Sequence, residues 1–264
     1  MTDLVEQPTA DASEEDLAEG TLLSHLIELR NRLIKMVAAV IVLFVGLLPF
    51  NQTIFDWIAE PVKAAVPSGQ MIVTGTAGNL LVPFKATFFV ALFLAMPVVL
   101  YQLWAFIAPG LYRKEKRFAF PLLGSSILLF YAGVAFAYFI VFPLIFGFFA
   151  SIELEGAPWT PDIGPYLDFI TSIVLAFGIA FEVPIATVLL VWAGLTTPEK
   201  LSKARPYVFL MAFVVGMLLT PPDVISQTLL AVPVYLLFEA GILMSRLFAK
   251  KSGEQEAEAV TTDA

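Results

Sequence analysis

The sequence predicts an all-α polytopic membrane protein of six transmembrane helices, with short fifth and sixth helices and both termini cytoplasmic. Three observations carry this. Hydrophobic residues make up 59% of the 264 residues and charged ones only 14%, against about 45–50% and about 25% in a soluble domain. A soluble chain of this size lacks the polar surface to cover so much apolar material. The apolar runs are also continuous rather than alternating, which argues for helices and against a β-barrel. Finally, the basic residues cluster in every second connection, the pattern of positively charged cytoplasmic loops.

The N-terminal tail, residues 1–20, holds seven acids and no base, and residues 252–264 hold four acids and no base. Both tails, 1–20 and 251–264, read as solvated and disordered. An acidic start is also unlike a cleavable signal peptide, which begins with a basic region. The membrane domain then covers residues 21–250. Outside the eleven tail acids the chain has 15 bases and 12 acids, so its body is slightly basic although the whole chain is −8.

Residues 21–33, TLLSHLIELRNRL, repeat Leu22, Leu26, Leu29 and Leu33 every three or four positions. That spacing predicts an amphipathic helix at the cytoplasmic surface, with Thr21 as its N-cap. Glu28 and Arg32 are four apart and can pair on one face. Alone, Glu28 reads equally as a surface acid that stabilises the helix. The first span follows from Leu33 to about Phe50.

Residues 51–83 form an external loop whose apolar patch beside Trp57 suggests a short interfacial helix. The second span runs from about Phe84 to Ala108. The next connection, GLYRKEKR at 110–117, sets one carboxylate, Glu115, among four cations. Internal charge balance explains it alone. Yet Glu28 and Glu115 now lie on one membrane face, both close to apolar surface. Two such carboxylates suit two guanidinium groups on a ligand, through charge-assisted and bidentate bonds.

The third run, from about Phe118 to Ala150, is too long for a perpendicular span and must tilt or protrude. Residues 151–166 hold Pro158, Trp159, Pro161 and Pro165, a rigid external cap. The fourth span, from about Leu167 to Leu195, contains Glu182 near its middle. A charge there costs about 3 kcal/mol on insertion scales, so Glu182 is expected to be protonated or hydrogen-bonded on a concave, partly hydrated surface. Pro184 removes a helix donor two residues later and predicts a kink. An interhelical hydrogen bond, a proton relay and a contact for another protein's helix all remain open for Glu182.

The fifth span, Tyr207–Leu219, has 13 residues, about 20 Å long against a hydrocarbon core of about 30 Å. A tight turn at 220–223 leads into the sixth, from about Val224 to Phe248, which opens with Ser226, Gln227 and Thr228. This hairpin is expected to sit in a locally thinned membrane or behind other helices. With these spans, thirteen of the fifteen bases fall on one side and only Lys63 and Lys85 on the other.

Catalysis has little support. The chain has no Cys and one His, which leaves no cysteine nucleophile, thiolate metal site or multi-histidine site. Gly124-Ser125-Ser126 lies in a membrane segment without a His partner there. There is no GxxxxGK[ST] loop, and no basic stripe interleaved with aromatics that would bind nucleic acid. No cofactor or metal is expected. A proton-coupled solute transporter with Glu182 as its proton site is the main rival reading, but no repeat between the two halves supports it.

Long stretches now carry a family resemblance: SHLIELRNRL at 24–33, YQLWAFIAPGLYRKEKR at 101–117, FAYFIVFPLIFGF at 136–148, AFGIAFEVPIA at 176–186 and RPYVFLMAFVVGMLLTPPDVISQTLLAVPVYLLFE at 205–239. They resemble TatC, the multispanning receptor subunits of the twin-arginine protein translocase, over about residues 22–248. The resemblance implies a non-enzymatic receptor in the bacterial inner membrane. Such a receptor binds twin-arginine signal peptides at its cytoplasmic face, recruits single-span TatB and TatA, self-associates within a TatBC complex, and exports folded proteins on the proton-motive force. It further implies that Glu28 and Glu115 recognise the arginine pair, with Arg30, Phe106 and Arg117 in support. Glu182 corresponds to the family's intramembrane acid, and Asp223 and Gln227 to the hairpin surface offered to a partner helix.

Overall fold

Helix follows helix along the whole chain. The computed structural model describes the backbone of residues 10–66, 70–107, 116–152, 160–220 and 223–262, and side chains within 26–64, 66, 70–106, 121–152, 160–220 and 223–247. The helices are α1 (Ala10–Leu47), α2 (Asn51–Ala65), α3 (Gly78–Ile107), α4 (Lys116–Phe136), α5 (Phe142–Ser151), α6 (Ile163–Ala180), α7 (Val183–Trp192), α8 (Pro198–Lys203), α9 (Arg205–Leu219) and α10 (Val224–Thr262). Among the described residues five apolar stretches are long enough to cross a membrane: 26–64, 78–106, 121–151, 163–192 and 224–247. The shorter Arg205–Leu219 is a sixth apolar helix. The protein is a multi-pass membrane protein.

Prolines set most of the breaks. Pro49 opens the 3₁₀ turn Leu48–Phe50 that turns α1 into α2. Pro143 removes one donor from the third apolar run. The chain meets it with a π turn over Ala137–Val141, so this long run is two helices joined by a bulge. Pro184 ends the α6 register: Phe181 and Glu182 lie between α6 and α7. The ladder closes across the break, with the amide of Glu182 donating to Ile179 and that of Ala186 to the Glu182 carbonyl, at 3.0 and 2.9 Å.

Some boundaries differ from the sequence expectation. Helix α1 already runs through residue 21, so Thr21 is an interior position and not an N-cap. The helical backbone also extends beyond the apolar stretches at both ends, from Ala10 and to Thr262. The fifth helix is short as expected, at 15 residues. The sixth is not, because its apolar stretch covers 24 residues. In its polar opening Thr228 donates to the Val224 carbonyl at 2.6 Å, while Ser226 is fully buried with no partner for its hydroxyl among the described residues.

The main apolar core joins α2, α5 and α6 through Val62, Phe142, Ile145, Phe146, Leu167 and Phe177. A second cluster joins α3, α4 and α7 through Met96, Leu100, Trp104, Phe130 and Ile185. Helix α4 meets α6 so closely that a Cβ on Gly133 would stand 2.5 Å from the carbonyl oxygen of Phe177. Helix α1 is different. The window 26–64 buries none of its most apolar segment within the chain, leaving side chains such as Val42 and Ile34 for lipid or for other proteins.

One end of the bundle is closed by a clasp between the connections before α3 and α6. Ile72 pairs with Asp162 in a short parallel bridge. The amide of Ile72 donates to Pro161, and that of Ile163 to Ile72, at 3.1 and 3.0 Å. The Asp162 side chain caps α6 by accepting from the amide of Gly164 at 3.1 Å, and the Thr74 hydroxyl donates to its other oxygen. The Thr74 bond first, and then the Gly164 amide, hold this carboxyl below its ordinary value of 3.8. The clasp's electrostatic support is therefore complete above that value and is lost as pH falls through the lower, folded-state value. Acidifying this side through the folded-state value is expected to lower the protection of the Ile72 and Ile163 amides, read as exchange rates relative to the intrinsic rate at each pH. Asp162→Asn is expected to remove that dependence, and protection that does not change in the native protein would refute the assignment.

Candidate functional site

Two polar constellations interrupt the apolar body. The first lies at the end opposite the clasp. Glu28 and Arg32 stack on one face of α1, as their spacing predicts. Nε and Nη2 of Arg32 both donate to Oε1 of Glu28, at 3.0 and 2.5 Å. Arg32 Nη1 reaches across to Oε1 of Gln102 in α3, at 3.4 Å. Gln102 is nearly buried, so it anchors the pair to a neighbouring helix. Both bonds fall on one oxygen of Glu28, and the side chain keeps 40% of its surface exposed. The other oxygen of this carboxylate has no hydrogen bond among the described residues. A charge-assisted bond from a second guanidinium could be accepted there.

Arg30 is exposed, and among the described residues its guanidinium makes one long contact, 3.5 Å to Asn31. Phe106 lies one turn beyond Gln102 near the end of α3, half-buried. The connection toward α4 therefore leaves α3 at the Glu28 end. Arg117 falls in the first turn of α4, with its side chain outside the described residues. Glu115 also lies outside them.

The second constellation is intramembrane. Glu182 sits at the α6–α7 break, half-buried, and accepts a hydrogen bond from Ser126 of α4 through Oε2. Its Oε1 is buried and has no partner. The break has a physical cause: Pro184 cannot extend the α6 ladder, so the two residues before α7 turn out of register and carry the carboxyl to α4. A mostly apolar groove of about 480 Å³ opens beside it, between α6, α7, α9 and α10, lined by residues including Phe177, Ala180, Val183, Met211 and Leu230.

Asp223 immediately precedes α10 and Gln227 follows within it; neither they nor Glu182 lines this groove. Asp223 caps α10, its Oδ1 accepting from the amide of Ser226 at 2.6 Å, while Oδ2 is buried without a partner. Gln227 is half-buried in the first turn of α10. Its backbone approaches Gly216, where a Cβ would stand 3.5 Å from the Gln227 carbonyl oxygen, and this contact closes the α9–α10 hairpin. At the other end of the hairpin Arg205 forks onto Glu239, Nε to Oε1 and Nη2 to Oε2, both at 2.7 Å. The Tyr235 hydroxyl adds a bond to Glu239 at 2.9 Å. The short helix is therefore pinned to α10 at both ends.

Sequence reasoning did not single out Gln102, Ser126 or the Arg205–Glu239 fork. A glutamine inside the apolar run 84–108 was the available signal for the first. The others join residues 56 and 34 apart in sequence, and nothing local marks the pairing.

Comparison with known proteins gives one answer. A family model described as "Sec-independent protein translocase protein (TatC)" matches residues 24–233. The chain is 58% identical over 222 residues to the Sec-independent protein translocase protein TatC of Azotobacter chroococcum mcd 1, covering 84% of this chain and 87% of that one. It is 54% identical over 236 residues to the protein of that name from Escherichia coli (strain K12), covering 89% and 92%. A crystal structure of a twin-arginine translocase receptor, TatC, superposes with a TM-score of 0.77 at 40% identity, covering 84% of this chain and 98% of that one. Bundle, hairpin and sequence agree, and the chain belongs to the TatC family of Sec-independent protein translocase proteins.

Proposed function

We propose that this chain is the signal-peptide receptor of its translocase, and that the Glu28 end of the bundle faces the cytoplasm of an inner membrane. Glu28 and Glu115 take the two guanidinium groups of a twin-arginine signal, with Arg30, Phe106 and Arg117 at the rim. Glu182, Asp223 and Gln227 are the polar contacts that this chain offers to single-span partners of the TatA and TatB type. The cargo then crosses folded, driven by the proton-motive force, in an assembly that holds more than one copy of this chain.

The observation that supports recognition best is the asymmetry at Glu28. Arg32, steadied by Gln102, occupies one carboxylate oxygen of a side chain that keeps 40% of its surface exposed. A guanidinium reads such a carboxylate better than an ammonium does, because its donors form a planar fork. Photocrosslinkers placed at Glu28 and Glu115 are expected to capture a precursor with an Arg-Arg signal and to capture a Lys-Lys version poorly. Equal capture of the two would overturn the reading.

Orientation has its own test. The chain has no cysteine, so single cysteines report cleanly. Ser68→Cys and Gly156→Cys are expected to react with an impermeant thiol reagent added outside sealed cells, and Ser252→Cys to stay unlabelled. Labelling at 252 would reverse the topology.

A further inference from the structure

Hydroxyls inside helices commonly donate back to a carbonyl of their own helix. Thr87 does so to Pro83, Ser125 to Leu122, Thr171 to Leu167 and Thr187 to Pro184, at 2.7–2.8 Å. Ser126 does not. It is fully buried, and its hydroxyl leaves α4 to donate to Oε2 of Glu182. That acceptor sits at the interruption between α6 and α7. The other oxygen, Oε1, is buried and unpartnered, and no cation forms an ion pair with Glu182 among the described residues.

The two oxygens of a neutral carboxyl group differ: one is a carbonyl acceptor, the other a hydroxyl donor. A serine hydroxyl donating to Oε2 selects Oε2 as the carbonyl and places the proton on Oε1. An ionised group here would have one neutral hydroxyl and no counter-ion to offset the cost of isolating a charge from water. We infer that Ser126 is the positioning residue of Glu182: it holds the carboxyl through Oε2 and keeps Oε1–H as a buried donor, which an amide or hydroxyl oxygen on an arriving helix takes once that helix displaces the side chains covering it. The donor's destination rests on the partner contact proposed above for Glu182, while the positioning does not. The same geometry explains how Gln can replace Glu here. Its carbonyl takes the Ser126 bond and its NH₂ stands where Oε1–H stood.

Infrared spectroscopy of the full-length protein in lipid nanodiscs tests this. The carboxylic C=O band lost in Glu182→Gln belongs to Glu182. Ser126→Ala removes its hydrogen bond and is expected to move that band to higher wavenumber. Ser126→Thr keeps the hydroxyl and is expected to leave the band in place. If the extra methyl prevents folding, Ser126→Cys takes its part, and its weak donor is expected to give a smaller shift than Ala. A role in packing alone predicts no such order. An unmoved band in Ser126→Ala overturns the positioning role, and the absence of any carboxylic band from residue 182 overturns the donor assignment. Partner crosslinking separates this from the reading it rests on. Glu182→Ala is expected to lose crosslinking that Glu182→Gln retains. If Glu182→Ala keeps full crosslinking while the band still shifts in Ser126→Ala, the partner contact fails and the positioning stands.

Discussion

Replacing Glu28 and Glu115 together by alanine is expected to abolish detectable capture of a twin-arginine signal while leaving the bundle folded. Each acid offers a charged hydrogen bond worth about 1.5–3 kcal/mol. Its loss alone weakens binding by roughly 10- to 100-fold, and the two together exceed the range of most peptide titrations. Glu28→Ala also frees Arg32, which keeps only its 3.4 Å contact with Gln102, and so leaves an uncompensated cation where the signal's arginines arrive. That repulsion makes Glu28→Ala the worse single change. Gln102→Ala acts one step further back, loosening Arg32 and blurring the orientation of Glu28, and is expected to weaken binding by a smaller factor. Titration of a fluorescent signal peptide at fixed ionic strength, on variants matched for thermal stability, checks the order. An affinity unchanged in the double variant would sink the recognition proposal.

The largest expected loss of stability comes from one methyl group. Gly133→Ala would place a Cβ 2.5 Å from the carbonyl oxygen of Phe177 and 2.9 Å from its carbon. Backbone cannot swing aside as a side chain can, so α4 and α6 must separate and the core around Phe177 must repack. Overpacking of this kind costs about 1–3 kcal/mol, and Gly133→Leu is expected to prevent assembly. Gly124 and Gly147 provide the contrast, because a Cβ on either meets nothing within 4 Å. Alanine there removes only the helix penalty of glycine, worth up to about 1 kcal/mol. Thermal unfolding followed by intrinsic fluorescence is expected to fall for the first substitution and to hold or rise for the other two. A Gly133→Ala protein as stable as the native one would refute the close approach.

What the sequence revealed divides along the distance over which each interaction acts. Apolar runs, the Glu28–Arg32 spacing and the Pro184 break are local, and each appears in the structure where the residues placed it. The π turn over Ala137–Val141 was less visible, since an over-long apolar run implies tilt as readily as a bulge. The sixth helix starts at Val224, where the sequence places it, and its polar opening at Ser226, Gln227 and Thr228 does not shorten it. Asp223 was read as part of a turn and, through the resemblance, as partner-helix surface; its oxygen also caps the following helix. The contacts that shape both sites are tertiary. Gln102 holds Arg32 from 70 residues away, and Ser126 holds Glu182 from 56 residues away. No periodicity predicts such pairs, because only packing decides which faces meet.

The shortness of α9 has an electrical consequence. Its 15 residues measure about 22 Å at about 1.5 Å per residue, against about 30 Å for an ordinary hydrocarbon core. A membrane behaves as a thin capacitor, with a voltage fixed by the two aqueous sides that drops across whatever insulator lies between them. Where lipid conforms to α9, the same voltage falls over the shorter distance, and the local field is steeper by roughly a third. The work done on a charge that crosses completely is unchanged, at about 2.3 kcal/mol per elementary charge per 100 mV. It is delivered over a shorter path, so the force on a charged segment beside the α9–α10 hairpin exceeds that anywhere the bilayer keeps its full thickness.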